Sequence, residues 1–278
     1  MNPLDAVLDP LAFPFFVRAL VAAMVVGVVC AVVGSFMVLR GLAFMGDALS
    51  HSAFPGVVAA YLLNGPFYLG AAIAAVGTAL AIGWVTRNGR LRGDTAIGVL
   101  FAGMFALGIF LFSRIPNYVG DLFGFLFGEI LGIGPDDLVA LTVLAVLVLA
   151  AVALLWKQLL YATFDPLGAA SAGLPVGKLD YLFLGLIALT IVVSLQAVGI
   201  ILVVAMLVTP AAIGQLVASD FRRLVAVAVV VGTCSPVAGL YLSYWLDSAA
   251  GATIVLVETA LFALVLVTRR RGAPSYET

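Results

Sequence analysis

Apolar stretches close to the roughly 20 residues that a helix needs to cross a bilayer follow one another along this chain. They run over 15–39, 42–63, 66–86, 95–113, 137–156, 180–197, 199–217, 224–245 and 252–268. The period-two alternation of barrel strands is missing. Backbone in hydrocarbon must satisfy its own hydrogen bonds, and long apolar runs do so as helices. The pattern predicts an all-α integral membrane protein, a polytopic bundle of about nine transmembrane helices. Two stretches complicate the count. Residues 180–217 are nearly continuous, so they should fold as two spans with a turn near Gln196 to Gly199, or as a span plus a broken helix. Residues 115–134 are long enough to cross, but a crossing there would spoil the charge asymmetry of the loops. They are expected to form a short helix tucked into the external face. Gly120, Gly124, Gly128 and Gly132 recur there every four residues, a smooth ridge suited to packing or to a dimer surface.

Lys and Arg set the orientation. If Arg269, Arg270 and Arg271 are cytoplasmic, counting back through nine spans puts eleven of the thirteen basic residues on the cytoplasmic side, with only Arg18 and Arg114 outside. The whole chain, 1–278, then reads as a single transmembrane domain. Residues 1–14 are expected outside, 157–180 form the longest cytoplasmic loop and 269–278 a cytoplasmic tail. The opening MNPLDAVLDP, acidic and broken by proline, does not fit a signal peptide.

Composition narrows the class further. Of 278 residues, 64% are hydrophobic and only 10% charged, where a soluble domain carries about a quarter charged residues. Most of the surface must therefore face lipid or other helices. A net charge of −1 gives no support for nucleic-acid binding. Cys30 and Cys234 sit in apolar runs and read as small packing residues. There is no HExxH, GxSxG or GxxxxGK[ST], so neither a membrane protease nor a self-contained ATPase is indicated.

Charges inside apolar spans are costly and so mark function. The outstanding case is RGLAFMGDALSHSAFPGVVAAYLL, residues 40–63, with His51, the only histidine, four residues after Asp47. On a helix i and i+4 share a face, so imidazole and carboxylate can point at one object. The pair suits Mn, Fe or Zn better than Cu(I). It also fits a proton relay, or a buried pair in which Asp47 orients His51. Two ligands are few for a metal; a symmetric homodimer with both pairs at its axis would offer two His and two Asp. The loop KQLLYATFDPLGAASAGLPVGKLD (157–180) reads as a short helix begun near Asp165-Pro166 and stopped by Gly173 and Pro175, either a docking element for a soluble partner or a plain connector. Asp136 and Asp137 look like the cap of the fifth span and Asp94 like that of the fourth. Asp121 and Glu129 read as a solvated face. Glu258, midway along the last span, should face a partner or a cavity.

The stretch GSFMVLRGLAFMGDALSHSAFPGVVAAYLL (34–63) resembles the signature of the manganese/zinc/iron ABC permease family. VGIILVVAMLVTPAAIGQLVA (198–218) and LDSAAGATIVLVETALF (246–262) resemble its later segments, in order and spacing. The resemblance implies a fold similar to the large-bundle permeases for vitamin B12 and siderophores. It implies a homodimer of permeases, two cytoplasmic ABC ATPase subunits and an extracytoplasmic solute-binding protein, in the bacterial cytoplasmic membrane. The chain itself would then be no enzyme and hold no cofactor, with ATP used by the partner. Asp47 and His51 match the family's Asp-x-x-x-His, associated with metal passage. The 157–180 loop looks like the coupling helix that docks in the ATPase, with Asp165, Pro166, Ala169, Ala170 and Gly173 as its residues. The expected cargo is a divalent transition metal, Mn before Zn before Fe, because carboxylate ligands suit Mn(II). The expected alternative is a proton-coupled secondary metal carrier with Asp47 and His51 as relay; a third reading is an assembly subunit without transport.

Overall fold

The computed structural model describes residues 8–88, 93–115 and 130–270. The helices are α1 (Pro14–Leu39), α2 (Ala43–Leu62), α3 (Phe67–Asn88), α4 (Gly93–Phe112), α5 (Pro135–Leu154), α6 (Trp156–Phe164), α7 (Pro166–Ser171), α8 (Val176–Val217), α9 (Phe221–Leu246) and α10 (Ala250–Arg270). A 3-10 turn, Ile130–Gly132, precedes α5. Among the described residues no strand occurs. Gly120, Gly124, Gly128, Asp121 and Glu129 lie outside the described residues, as do Arg90, Arg92 and Arg271.

Helix α8 has 42 residues, and an unbroken helix of that length would measure about 63 Å, twice the hydrocarbon core of about 30 Å. It is not unbroken. Gly199 takes φ 79 and ψ 170, a conformation open essentially only to glycine. The contacts reveal a reversal at that point. On α1, the Phe36 ring lies 6.0 Å from that of Phe183, while Gly34 touches the carbonyl of Leu207 so closely that it has no room for a Cβ. Residues 183 and 207 therefore meet neighbouring turns of one helix, although 24 residues of straight helix would separate them by about 36 Å. The chain goes out over Val176–Leu195 and returns over Ala197–Val217.

The helix ends sort onto two faces. On one, Arg40 at the end of α1 meets Asp180 of α8 and Thr163 of α6, and Arg87 at the end of α3 meets the same Asp180. Phe221, at the start of α9, packs its ring on Phe36, Trp156 and Phe164, and Arg269 donates to the carbonyl of Val217. On the opposite face, Arg18 at the start of α1 donates to the carbonyl of Ile133 at 2.9 Å. There too Tyr68 of α3 donates to Asp137 of α5 at 2.7 Å. This is the alternation that the basic residues predict. Eight segments are long and apolar enough to cross a membrane. Helix α2 is the ninth pass among the described residues, equally long but diluted by Asp47, Ser50, His51 and Ser52.

The core lies where α1, α8 and α9 converge, with Phe16, Phe36, Phe183, Ile187, Met206 and Leu207 fully buried. Small residues set the spacing: a Cβ at Gly27 of α1 would strike the carbonyl of Gly232 of α9. Such close approach supplies the helix–helix packing that hydrophobicity cannot supply in lipid. Asp137 caps α5 from its first turn, as expected, accepting from the Gly134 amide at 3.4 Å, while Asp94 lies in the first turn of α4, one residue inside the helix whose cap it was expected to form.

Candidate functional site

Helix α2 is short of neighbours along one stripe. Gly46 packs toward Leu207 and Met37, and the Ser50 and Ser52 hydroxyls are buried and donate back to the carbonyls of Gly46 and Ala48. On the other side, Phe44, Asp47 and His51 recur at helical spacing, and Phe44 and Asp47 are open. The Asp47 side chain is 50% exposed and that of His51 23%. An exposed carboxylate in a membrane-crossing helix cannot be left to lipid tails. The stripe must face water or another protein surface.

Within it, His51 Nε2 lies 3.5 Å from Asp47 Oδ1, so the two do converge as the i,i+4 spacing predicts. The imidazole is held edge-on against Phe101 and Phe105 of α4, with centroids at 5.3 and 5.2 Å. Its Nδ1 is buried and finds no hydrogen-bond partner among the described residues. Pro55, one turn on, has no amide hydrogen to give, so it frees the His51 carbonyl from the helical ladder. The result is an imidazole fixed by aromatic walls, with a carboxylate close by. Such a set can hold a cation briefly, but it is incomplete: among the described residues there is no group of three or more His, Cys, Asp or Glu side chains able to hold a metal.

The loop at the other functional stretch folds as its sequence predicts. Asp165 caps α7 by accepting from the Gly168 amide at 2.8 Å, Pro166 occupies the first turn, and Gly173 ends the helix at φ 84. The Gly173 amide donates to the Ala170 carbonyl and that of Leu174 to Ala169, both at 3.0 Å. Ala170 is exposed. Ala169, expected beside it on the docking surface, instead points inward and packs on Ala162 and Leu179. Its place on the presented surface is taken by Leu167, which is 81% exposed. The sequence reading missed Leu167 because a helix of six residues has too few turns for its buried side to show as a period.

Arg40, counted in the sequence only as a loop charge, is a second unexpected centre. Its Nε donates to Thr163 Oγ1 at 2.9 Å, its Nη1 to Asp180 Oδ1 at 3.0 Å, and its Nη2 reaches the Leu159 carbonyl at 3.4 Å. The guanidinium lies over the Phe183 ring at 4.5 Å. Burial draws its pKa down and Asp180 pushes it back up; an arginine so placed stays charged at neutral pH.

Fold and site together define a class: a polytopic helical membrane protein with a carboxylate–imidazole pair on one of its crossing helices, the carboxylate half exposed. The family model described as the ABC 3 transport family matches residues 12–269, and the chain belongs to that family. It is 44% identical over 254 residues to the manganese transport system membrane protein MntC of Halalkalibacterium halodurans, covering 91% of this chain and 87% of that one. It is 42% identical over 268 residues to the chelated iron transport system membrane protein YfeD of Yersinia pestis, covering 96% and 90%. Among solved structures, PsaBC from Streptococcus pneumoniae in complex with Fab superposes with a TM-score of 0.84 at 36% identity, over 94% of each chain. A metal-chelate type ABC transporter in an inward-facing conformation shares the fold, with a TM-score of 0.74 at 16% identity over 91% and 86%.

Proposed function

We propose that this chain is the permease subunit of an ATP-driven importer that carries a divalent transition metal across the bacterial cytoplasmic membrane, manganese first, then zinc, then iron. The observation that carries the reading is the conjunction of family membership over residues 12–269 with an imidazole–carboxylate pair whose carboxylate is half exposed on a crossing helix. The naming of relatives for manganese and iron supports manganese as the cargo, while zinc rests on the ligand chemistry alone. Imidazole with carboxylate is a set that Mn(II), Fe(II) and Zn(II) accept. Only two ligands per chain means weak, transient holding, as a pathway requires. The open stripe is best completed by a second copy of this chain, whose Asp47 and His51 would double the set about a two-fold axis.

In this reading the chain catalyses no reaction and holds no resident cofactor. Two cytoplasmic ABC ATPase subunits hydrolyse ATP, and an extracytoplasmic solute-binding protein delivers the ion. The α6–α7 loop is the docking element for the ATPase, shaped by Asp165, Pro166 and Gly173 and presenting Leu167 and Ala170, while Ala169 holds the loop together from inside. The test is accumulation of radioactive manganese in proteoliposomes holding permease and ATPase, with the solute-binding protein added outside. Uptake is expected only with ATP; uptake driven by a pH gradient without ATP would replace this reading with a proton-coupled carrier. Ala170→Arg is expected to insert normally yet lose the ATPase in detergent. Normal pull-down with normal uptake would sink the docking assignment.

A further inference from the structure

We infer that Arg40 is a positioning residue that ties the α6–α7 loop to the start of the helix bearing Asp47 and His51, so that movement of the loop is passed to the polar pair. The inference rests on the permease reading above. One guanidinium grips both flanks of the loop: Thr163 and Leu159 on α6, which leads into it, and Asp180 on the first turns of α8, which leads out. The side chain is 11% exposed and its flat face is covered by Phe183, so the grip is shielded from competing water. A guanidinium presents its donors in a rigid fork, which lets one side chain fix several acceptors in a set geometry where an ammonium would act as a point charge. Asp180 gives its second oxygen to Arg87 Nη1 at 3.6 Å, which adds the end of α3 to the same node.

The other end of the link is the backbone. Arg40 closes α1, its amide donating to the Phe36 carbonyl at 3.1 Å. Gly41 turns the chain at φ 69, and Leu42 is the N-cap of α2. The turn is cross-braced, with the Leu42 amide on the Met37 carbonyl and the Met45 amide on the Leu42 carbonyl, both at 2.9 Å. Between the guanidinium's own residue and Asp47 there is thus one tight turn and one turn of helix. A displacement of α6 or of the first turns of α8 drags Arg40, and with it the start of α2. A plain staple would share this geometry but would not change how much transport each ATP produces.

The experiment therefore measures manganese taken up per ATP hydrolysed, in proteoliposomes of the permease with its ATPase and with the solute-binding protein outside, alongside complex recovery and thermal midpoint. Arg40→Lys keeps the charge and loses the fork; Thr163→Val keeps Arg40 and removes one acceptor. We expect both variants to retain the ATPase and hydrolyse ATP within twofold of wild type. Uptake per ATP is expected to fall tenfold or more for Arg40→Lys and two- to fivefold for Thr163→Val. An unchanged ratio, a parallel fall of uptake and hydrolysis, or failure of both variants to assemble would make Arg40 a structural staple and overturn the inference. Wild-type complex that accumulates no manganese with ATP would instead overturn the permease reading, and the link with it.

Discussion

Asp47 and Glu258 both interrupt apolar helices, yet their surroundings are opposite. Asp47 is half exposed, has an imidazole at 3.5 Å and lies on a stripe that its own chain leaves uncovered. Glu258 is fully buried among α10 and its neighbours, and neither of its oxygens has a hydrogen-bond partner among the described residues. Gly239 of α9 packs against Ile254 of α10, one turn before Glu258. The Ser235 hydroxyl is buried and likewise unpartnered. A carboxylate that must meet a passing ion needs access and a second donor, and Asp47 has both. Glu258 has neither among the described residues; access and partner, not position in a span, separate the two carboxylates.

The largest effect that separates the two is on uptake. Asp47→Asn and His51→Gln nearly preserve shape while removing the charge and the ligand. Each is expected to leave expression, dimer and bound ATPase intact while manganese uptake falls by roughly 10–100-fold, the scale on which disturbing a metal site acts. Loss of assembly together with uptake would show a structural pair instead, because a buried polar group deprived of its partner costs about 1–3 kcal/mol. Uptake near wild type in both variants would remove these residues from the ion's path.

What the sequence could and could not convey follows the same division. The nine spans, the reversal at Gly199, the Asp165 cap and the i,i+4 convergence of Asp47 with His51 were all legible, because each depends on local spacing or on the conformational demand of one residue. Which side of a helix is covered was not. In a soluble protein the polar face marks the exposed side, but here lipid-facing and core-facing residues are alike, and helices such as α1 and α5 are apolar all round. Hence the surroundings of Glu258 could not be named from its position in the last span, Ala169 was expected on the surface it turns away from, and Arg40 was only a charge in a loop count. Its partners Thr163 and Asp180 are more than a hundred residues distant, and only the tertiary fold brings them together.

Access can be tested directly. In a background with Cys30→Ala and Cys234→Ala, Asp47→Cys is expected to react with a small water-soluble thiol reagent at least tenfold faster than Glu258→Cys in the assembled complex. Equal rates would mean either that water reaches Glu258 or that a partner seals Asp47. The first outcome breaks the contrast at Glu258, and the second limits it to the isolated chain.

The smallest effect is also the one that most directly examines Glu258. Burying a polar group without a hydrogen bond costs about 1–3 kcal/mol on scales drawn from protein mutants, and here neither carboxyl oxygen is satisfied. Replacing such a group by an apolar residue of similar volume is often neutral or stabilising. Methionine has nearly the length of glutamate and the flexibility to fill the same space. Glu258→Met should therefore keep manganese uptake within twofold of wild type and raise the thermal midpoint of the purified permease, in keeping with a gain of about 1–3 kcal/mol. The control is Ser235→Ala, which removes another buried, unpartnered hydroxyl and should do the same by a smaller amount. A fall in uptake with an unchanged or higher midpoint would give Glu258 a part in transport after all, and the difference between the two carboxylates would then be one of conformational state and not of role.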